Sequence, residues 1–209
     1  MSYVKSHEDF SINSWRNQLL WWDDFLGDRV QDEYSIGGDA GGSGVVVDGE
    51  TGGVIRITCD GDDGDDYQIF WGNYTTIINT KLPKFEARVK LETASNISVD
   101  FLGFYGTLNS SRAMFWCNTD VDANWHFQTR DAAGQTNTDT GIALDTSYHI
   151  FRISFISSTQ VLAYIDGTEE ADHSTNIPTD HMFIDLKIGT EENATKYVDM
   201  DYWVVAQDI

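Results

Sequence analysis

The chain of 209 residues carries 13 lysine and arginine residues against 34 aspartate and glutamate residues, a formal net charge of −21. So acidic a surface repels phosphate backbones, which argues against nucleic acid as a partner. No apolar run of about 18 residues occurs, and residues 1–15 have neither an apolar segment nor a basic start. We therefore predict no membrane association and no secretion signal.

The start of the chain contains the one segment with a helical pattern. Ser14 can cap a short turn over 15–20, and a polar stretch over 1–13 precedes it. We predict that residues 1–20 form an N-terminal arm, which is either a frayed end or a tether that orders on a partner. Residues 21–209 then form a single domain, since one β-domain can reach this size.

From Trp21 onward the pattern predicts short β-strands separated by turns, with no helix between them. The clearest lies at 85–91, where Phe85 and Ala87 share one face and Glu86 and Arg88 share the other. The predicted strands lie at 45–47, 54–59, 67–71, 85–91, 99–105, 112–117, 125–130, 148–156, 161–165, 182–188 and 197–206. This spacing predicts an all-β fold, a two-sheet antiparallel β-sandwich.

Two cysteines are too few for a disulfide scaffold. Cys59 and Cys117 both lie in apolar strand-like runs, where an unpaired cysteine serves as a small core residue. A single bridge between them stays open as the alternative.

Three segments resemble the concanavalin A-like lectin/glucanase superfamily. Lys84–Leu91 is similar to the Phe-Glu-Ala-Arg strand of laminarinase-type glycoside hydrolases. The pair 148–153 and 161–167 is similar to a hairpin that recurs across the superfamily, and 197–205 resembles its closing strand. The resemblance implies a jelly-roll sandwich and says less about activity, because one fold hosts many functions.

A further resemblance concerns the opening of the domain. Residues 22–27 are similar to the start of laminin-G-like domains in phage and other virion structural proteins. The resemblance implies a non-enzymatic virion surface protein (decoration, fibre or tail-associated), assembled in the host cytoplasm. Its partners would be other virion proteins, contacted through the arm, and cell-surface glycans; a closed homo-oligomer is also possible.

The residues do not supply the carboxylates of a laminarinase-type hydrolase. The laminarinase-type family has a strand with the pattern Glu-x-Asp-x-(x)-Glu. Its two catalytic carboxyl groups lie about 5–5.5 Å apart, as retaining glycosidases require. The strand at 112–117 contains no carboxylate, and the pair Asp120 and Asp122 has no glutamate partner. We therefore predict that the chain is not an enzyme and needs no cofactor.

Two alternatives to a virion protein remain. One is a stand-alone carbohydrate-binding module. The other is a divergent polysaccharide hydrolase or lyase, because His126, Gln128 and Arg130 share a strand face and resemble the Gln-x-His pair of alginate lyases in reverse order. A row of polar residues such as His126, Gln128 and Arg130 is also typical of an ordinary strand face that is exposed to solvent.

A glycan site is predicted on the face opposite Phe85. Sugars stack their C–H faces on aromatic rings, while carboxylates, amides and arginines bind their hydroxyls. Trp116 and Trp125 are candidate stacking platforms, although sandwich cores routinely bury tryptophans and a core position is favoured for each taken singly. The predicted binding residues are Glu86, Arg88, Trp116, Trp125, His126, Gln128 and Arg130.

The loop 60–66 contains five aspartates in seven residues. Hard cations prefer several oxygen ligands, so Asp60, Asp62 and Asp66 are candidate ligands for Ca²⁺. A solvated acidic hairpin tip explains the same composition. The loop is not an EF-hand, since it lacks the glutamate at the twelfth position.

Overall fold

The computed structural model describes residues 18–26, 34–47, 53–71, 77–106 and 111–208. These residues form fifteen strands and one 3₁₀ helix, Asn79–Lys81. No helix among them has the length and apolar character that crossing a membrane requires. The strands are β1 (Gln18–Asp23), β2 (Tyr34–Gly38), β3 (Ser43–Val46), β4 (Ile55–Cys59), β5 (Asp66–Trp71), β6 (Lys84–Leu91), β7 (Ile97–Gly106), β8 (Arg112–Asn118), β9 (Asn124–Arg130), β10 (Gln135–Ala143), β11 (His149–Ser157), β12 (Gln160–Ile165), β13 (Thr168–His173), β14 (Met182–Thr190) and β15 (Lys196–Asp208).

The strands form two antiparallel sheets. Sheet A has the order β13-β12-β11-β6-β15-β4-β3, and β1 also pairs with β15. Sheet B has the order β10-β9-β8-β7-β14-β5-β2. The prediction of an all-β, two-sheet antiparallel sandwich is therefore confirmed, and the last two strands of the chain lie in the interior of the two sheets.

Aromatic residues join the two sheets across the core. Phe115 of sheet B lies 5.1 Å from Phe151 of sheet A, measured between ring centroids, and Trp125 lies 4.6 Å from the same ring. Phe104 of sheet B packs against Phe85 of sheet A at 5.9 Å. All five side chains are less than 2 % exposed, so their apolar area contributes fully to the stability of the sandwich.

The two cysteines are buried and unpaired. Cys117 belongs to sheet B, and the Cys59 thiol of sheet A donates to the backbone carbonyl of Lys196 at 3.4 Å. Burial raises the pKa of Cys117 to about 12, which keeps its thiol neutral. Both residues are core residues, and the alternative of a disulfide bridge does not apply.

The N-terminal prediction needs a correction. Gln18 to Leu20 were expected to end a helical turn, but they begin strand β1, in which Gln18 pairs with Asp208 and Trp22 pairs with Val204. Strand β15 offers a long unpaired edge there, and pairing with it favours the extended conformation over the helix. Ser14 and the rest of residues 1–17 lie outside the described residues.

The outer face of sheet A carries a compact ion network. Glu86 is 1 % exposed and accepts hydrogen bonds from Arg152 Nε at 2.9 Å and from the Tyr202 hydroxyl at 2.9 Å. Arg88 of the same strand pairs with Asp201. Burial and the Glu86 carboxylate raise the pKa of Tyr202, so its hydroxyl stays protonated and donates. These groups satisfy one another and hold strands β6, β11 and β15 together.

Candidate functional site

The outer face of sheet B presents three rows of side chains, defined by the pairing of residues on neighbouring strands. Core residues alternate with them along every strand. The upper row is Phe183, Tyr105, Arg112, Arg130 and Gln135. The middle row is Phe70, Asp185, Gly103, Met114, Gln128 and Asn137. The lower row includes Gln68, Lys187, Phe101, Trp116, His126 and Asp139.

The upper row places two arginines directly opposite each other. Arg112 of β8 pairs in register with Arg130 of β9, and Arg112 also pairs with Tyr105 of β7. Burial lowers the pKa of Arg112, and the positive charge of Arg130 lowers it further. Burial raises the pKa of Tyr105, against the opposing influence of Arg112. Asp185, Lys187 and Arg130 also influence the pKa of Tyr105 through their charges. Tyr105 is therefore close to several of the ionisable groups of this face.

The middle row contains a buried carboxyl group. Asp185 of β14 is 2 % exposed, and its Oδ1 has no hydrogen-bond partner among the described residues. Burial raises the pKa of Asp185 to about 8, so the group is mostly protonated at neutral pH and can donate a hydrogen bond. Its neighbour in register, Gly103, has a φ of +141°, and a Cβ there would lie 2.8 Å from the Ala113 carbonyl oxygen. Such a Cβ would also lie 2.5 Å from Ile153 Cδ1 of the core, so glycine at this position allows β7 to pack closely against its neighbours.

The lower row contains a fixed aromatic pair. The rings of Trp116 and His126 are stacked, with centroids 4.3 Å apart. Trp116 Nε1 donates to Asn137 at 2.8 Å, and His126 Nε2 donates to the Asp122 carboxylate at 2.9 Å. The second ring nitrogen of His126 lies 3.3 Å from the Asn137 amide nitrogen. Because both ring nitrogens are engaged, His126 orients Trp116 and is not a free base.

A second aromatic group borders Asp185. Phe183 lies 5.7 Å from Phe70 and 5.5 Å from Tyr105, and Tyr105 lies 4.4 Å from Phe101, measured between centroids. All four rings are partly exposed. The face thus has aromatic rings on strands β5, β14, β7 and β8, with polar groups beside them on β14, β8 and β9.

The predicted binding residues do not form one surface. Glu86 and Arg88 belong to β6 of sheet A, whereas His126, Gln128 and Arg130 belong to β9 of sheet B. The two groups therefore lie on opposite outer faces of the sandwich. Glu86 and Arg88 are also already engaged in ion pairs, so the sequence-based assignment of these two residues to the glycan site is wrong.

The two tryptophans that were predicted as stacking platforms lie in different environments. Trp125 is 1 % exposed and packs against Phe151 in the core, so its assignment as a stacking platform is wrong. Trp116 is partly exposed on the outer face of sheet B, next to His126. Of the predicted residues, the structure brings together Trp116, His126, Gln128 and Arg130.

The acidic loop is not arranged as a metal site. Asp60 Oδ1 accepts the Gly61 amide at 2.8 Å, and Asp66 forms an ion pair with Lys187 at 2.7 Å. In the described part of the chain, which contains the whole loop, no three acidic, histidine or cysteine side chains converge on one position. The prediction of calcium ligands at Asp60, Asp62 and Asp66 gains no support from this geometry.

Sequence reasoning missed Tyr105, Arg112 and Asp185. Alternation could have found Asp185, since Asp185 and Lys187 interrupt an apolar run at alternate positions. Arg112 is harder to identify from the sequence, because a single arginine at the start of a strand does not by itself indicate a binding role. Its significance comes from the pairing of β8 with β7 and β9, which is a long-range property.

The sequence matches no protein-family model and no curated protein. The fold is nevertheless similar to solved structures. One is the Bacteroides ovatus mixed-linkage glucan family 16 glycoside hydrolase in complex with a product (TM-score 0.64, 12 % identity, 88 % of this chain and 98 % of that chain). Another is the endo-β-1,4-glucuronan lyase of Trichoderma reesei (0.65, 10 %, 90 % and 95 %). A third is the carbohydrate recognition domain of Emp47p (0.62, 10 %, 93 % and 98 %).

These comparisons show the fold of the protein. The chain has a concanavalin A-like jelly-roll fold, as the strand resemblances predicted. The prediction that it is not an enzyme is wrong as an exclusion, because hydrolases and a lyase share the fold across nearly its whole length. The missing Glu-x-Asp-x-(x)-Glu strand argues only against that one arrangement of carboxylates.

Proposed function

We propose that the chain binds a carbohydrate polymer across the outer face of sheet B. The observation that carries the proposal is the combination of oriented aromatic rings and unsatisfied polar groups on this one face. Trp116 and the aromatic group of Phe70, Phe101, Tyr105 and Phe183 provide surfaces for stacking on sugar rings. Arg112 Nε, Gln128 Oε1 and Asp185 Oδ1 are buried atoms without partners among the described residues, and sugar hydroxyls can satisfy such atoms.

Among the described residues, the outer face of sheet A offers less of this combination. Its three arginines are engaged with carboxylates, in the pairs Arg56–Asp199, Arg88–Asp201 and Arg152–Glu86. A buried polar group that already has its partners gains little from a ligand. A carbohydrate recognition domain shares the fold, which supports glycan binding by this chain.

Replacing Trp116 with alanine should weaken glycan binding about tenfold, because it removes a stacking surface worth about 1.5 kcal/mol. The ligand is first identified by probing a glycan array with the labelled protein, and its affinity is then measured by calorimetry. The matched control is Trp22→Ala, which removes a tryptophan that is 55 % exposed on strand β1 of sheet A. Absence of any bound glycan, or equal loss in both variants, would contradict the proposal.

A second candidate function is cleavage of the bound polymer. It is favoured by Asp185, because a carboxyl that keeps its proton near pH 7 can protonate the leaving oxygen of a glycosidic bond. Tyr105 lies on the neighbouring strand, two residues from Gly103, which pairs with Asp185, and it offers a second acid–base group. The presence of hydrolases and a lyase among proteins of this fold supports the candidate.

Cleavage is tested by incubating the protein with the glycans identified on the array. New reducing ends report cleavage of either kind, and the ultraviolet absorbance of an unsaturated product distinguishes elimination from hydrolysis. We expect Tyr105→Phe to lower the rate at least tenfold while leaving binding within about twofold. Full activity in this variant would remove Tyr105 from the chemistry.

The predicted location on a virion and attachment through residues 1–20 stay predictions. Carbohydrate binding, which the sequence offered as the alternative to a structural role in a virion, has the better support from the proteins that share this fold.

A further inference from the structure

The arginines of this acidic chain are mostly neutralised. Of the five arginines in the described ranges, three form ion pairs with carboxylates on the outer face of sheet A. The remaining two, Arg112 and Arg130, have no carboxylate within ion-pair distance among the described residues. With 34 acidic residues in the chain, this pair is the exception.

The two exceptional arginines are also adjacent. They are directly opposed on β8 and β9, an arrangement of like charges that destabilises a sheet. The Nε atom of Arg112 is buried and makes no hydrogen bond within the described part of the chain. Within the described part of the chain, neither the pairing nor the burial stabilises the fold by itself, and an anionic ligand would compensate for both.

The position of the pair connects it to the proposed glycan face. Tyr105 precedes Arg112 in the upper row, and Gln128 of the middle row neighbours Arg130 on the same strand. A charged group bound by the arginines would therefore belong to a molecule that also contacts Tyr105 and Gln128.

We infer that Arg112 and Arg130 form a subsite for the negative group of an acidic sugar, either a uronate carboxylate or a sulfate ester. This inference rests on the proposed glycan binding and adds the class of sugar. The guanidinium group is planar and donates two parallel hydrogen bonds to such oxyanions. The bound anion also separates and neutralises the two opposed charges. Because the whole chain carries −21, the attraction is local and weakens as salt rises.

The inference is tested with three hexasaccharides that share one backbone: cellohexaose, its 6-O-sulfated derivative and the β-1,4-linked hexasaccharide of glucuronate. We expect at least one acidic sugar to bind ten- to a hundredfold more tightly than cellohexaose, as charge-assisted hydrogen bonds allow. The tighter of the two acidic sugars identifies carboxylate or sulfate as the preferred group.

Variants assign the preference to the arginine pair. Arg112→Gln and, separately, Arg130→Gln should each remove most of the preference for the acidic sugar, and Arg130→Lys should restore part of it. The matched control is Lys84→Gln, which removes the same charge from β6 of sheet A. Thermal unfolding confirms that each variant is folded, and two positions are used so that one unstable variant does not end the test.

The outcomes separate this inference from the proposed function. Equal affinity for the three sugars, tighter binding of cellohexaose, or failure of both acidic sugars to bind would overturn the arginine subsite. Binding of neutral glycans on the array would leave the proposed function intact in each of these cases. A preference that survives in both glutamine variants would also overturn it.

Discussion

Replacing Glu86 with alanine is expected to lower the free energy of unfolding by about 3–5 kcal/mol. The carboxylate is 1 % exposed and accepts from Arg152 and Tyr202, which lie on the strands to either side of β6. Its removal takes away the carboxylate that accepts from the buried Tyr202 hydroxyl and that pairs with the Arg152 guanidinium. Urea denaturation at pH 7 measures the loss.

Two further variants make the result specific. Glu169→Ala removes an exposed carboxylate from strand β13 and should change stability by less than about 0.5 kcal/mol. Glu86→Gln keeps a hydrogen-bond acceptor in place and should lower the free energy of unfolding less than Glu86→Ala does. A loss below about 1 kcal/mol in Glu86→Ala would show that the network contributes little, and the assignment of Glu86 to the structure of sheet A would then be wrong.

Replacing Asp185 with asparagine is expected to stabilise the protein, and increasingly so as pH rises from about 4 to about 8. Burial raises the pKa of this carboxyl to about 8 in the folded protein, against an ordinary value of 3.8. Between these values the folded protein holds one proton more than the unfolded chain, so raising the pH favours unfolding. Each pH unit corresponds to about 1.4 kcal/mol, which gives on the order of 4 kcal/mol between pH 4 and pH 7.

The measurement compares the unfolding free energy of the wild type with that of Asp185→Asn across this pH range. Taking the difference between the two proteins removes the contributions of other titrating groups. The control variant Asp120→Asn removes the charge of an exposed carboxyl on a turn and is compared with the wild type over the same pH range. If the difference in unfolding free energy between the wild type and Asp185→Asn stays constant as the pH changes, this result would contradict the raised pKa of Asp185.

The sequence predicted the strands that have one buried face. Strand β6 is the clearest, because Phe85, Ala87 and Val89 are buried and Arg88 and Lys90 are not. The missed strands are edge or near-edge strands such as β10 (Gln135–Ala143) and β13 (Thr168–His173). Strand β10 has alternating partly exposed and exposed residues and no apolar run, so periodicity has nothing to detect.

The candidate site was only partly predictable, for two physical reasons. Alternation correctly placed His126, Gln128 and Arg130 on one face, and the same rule places Trp125 on the other face, in the core. Alternation does not say which sheet a strand joins. Glu86 was therefore grouped with His126, although long-range pairing places β6 and β9 in different sheets.

The sheet order has a consequence for how the chain is synthesised and folded. Strand β15 is the only link in sheet A, as described, between the β13-β12-β11-β6 part and the β4-β3 part, and β14 has the same role in sheet B. Both strands lie within Met182–Asp208, which a ribosome makes after every other described strand. A nascent chain that lacks them holds four half-sheets with open edges, prone to pairing with other chains. The domain can therefore complete its two sheets only after residues 182–208 have left the ribosome, whatever part of the sandwich has formed by then.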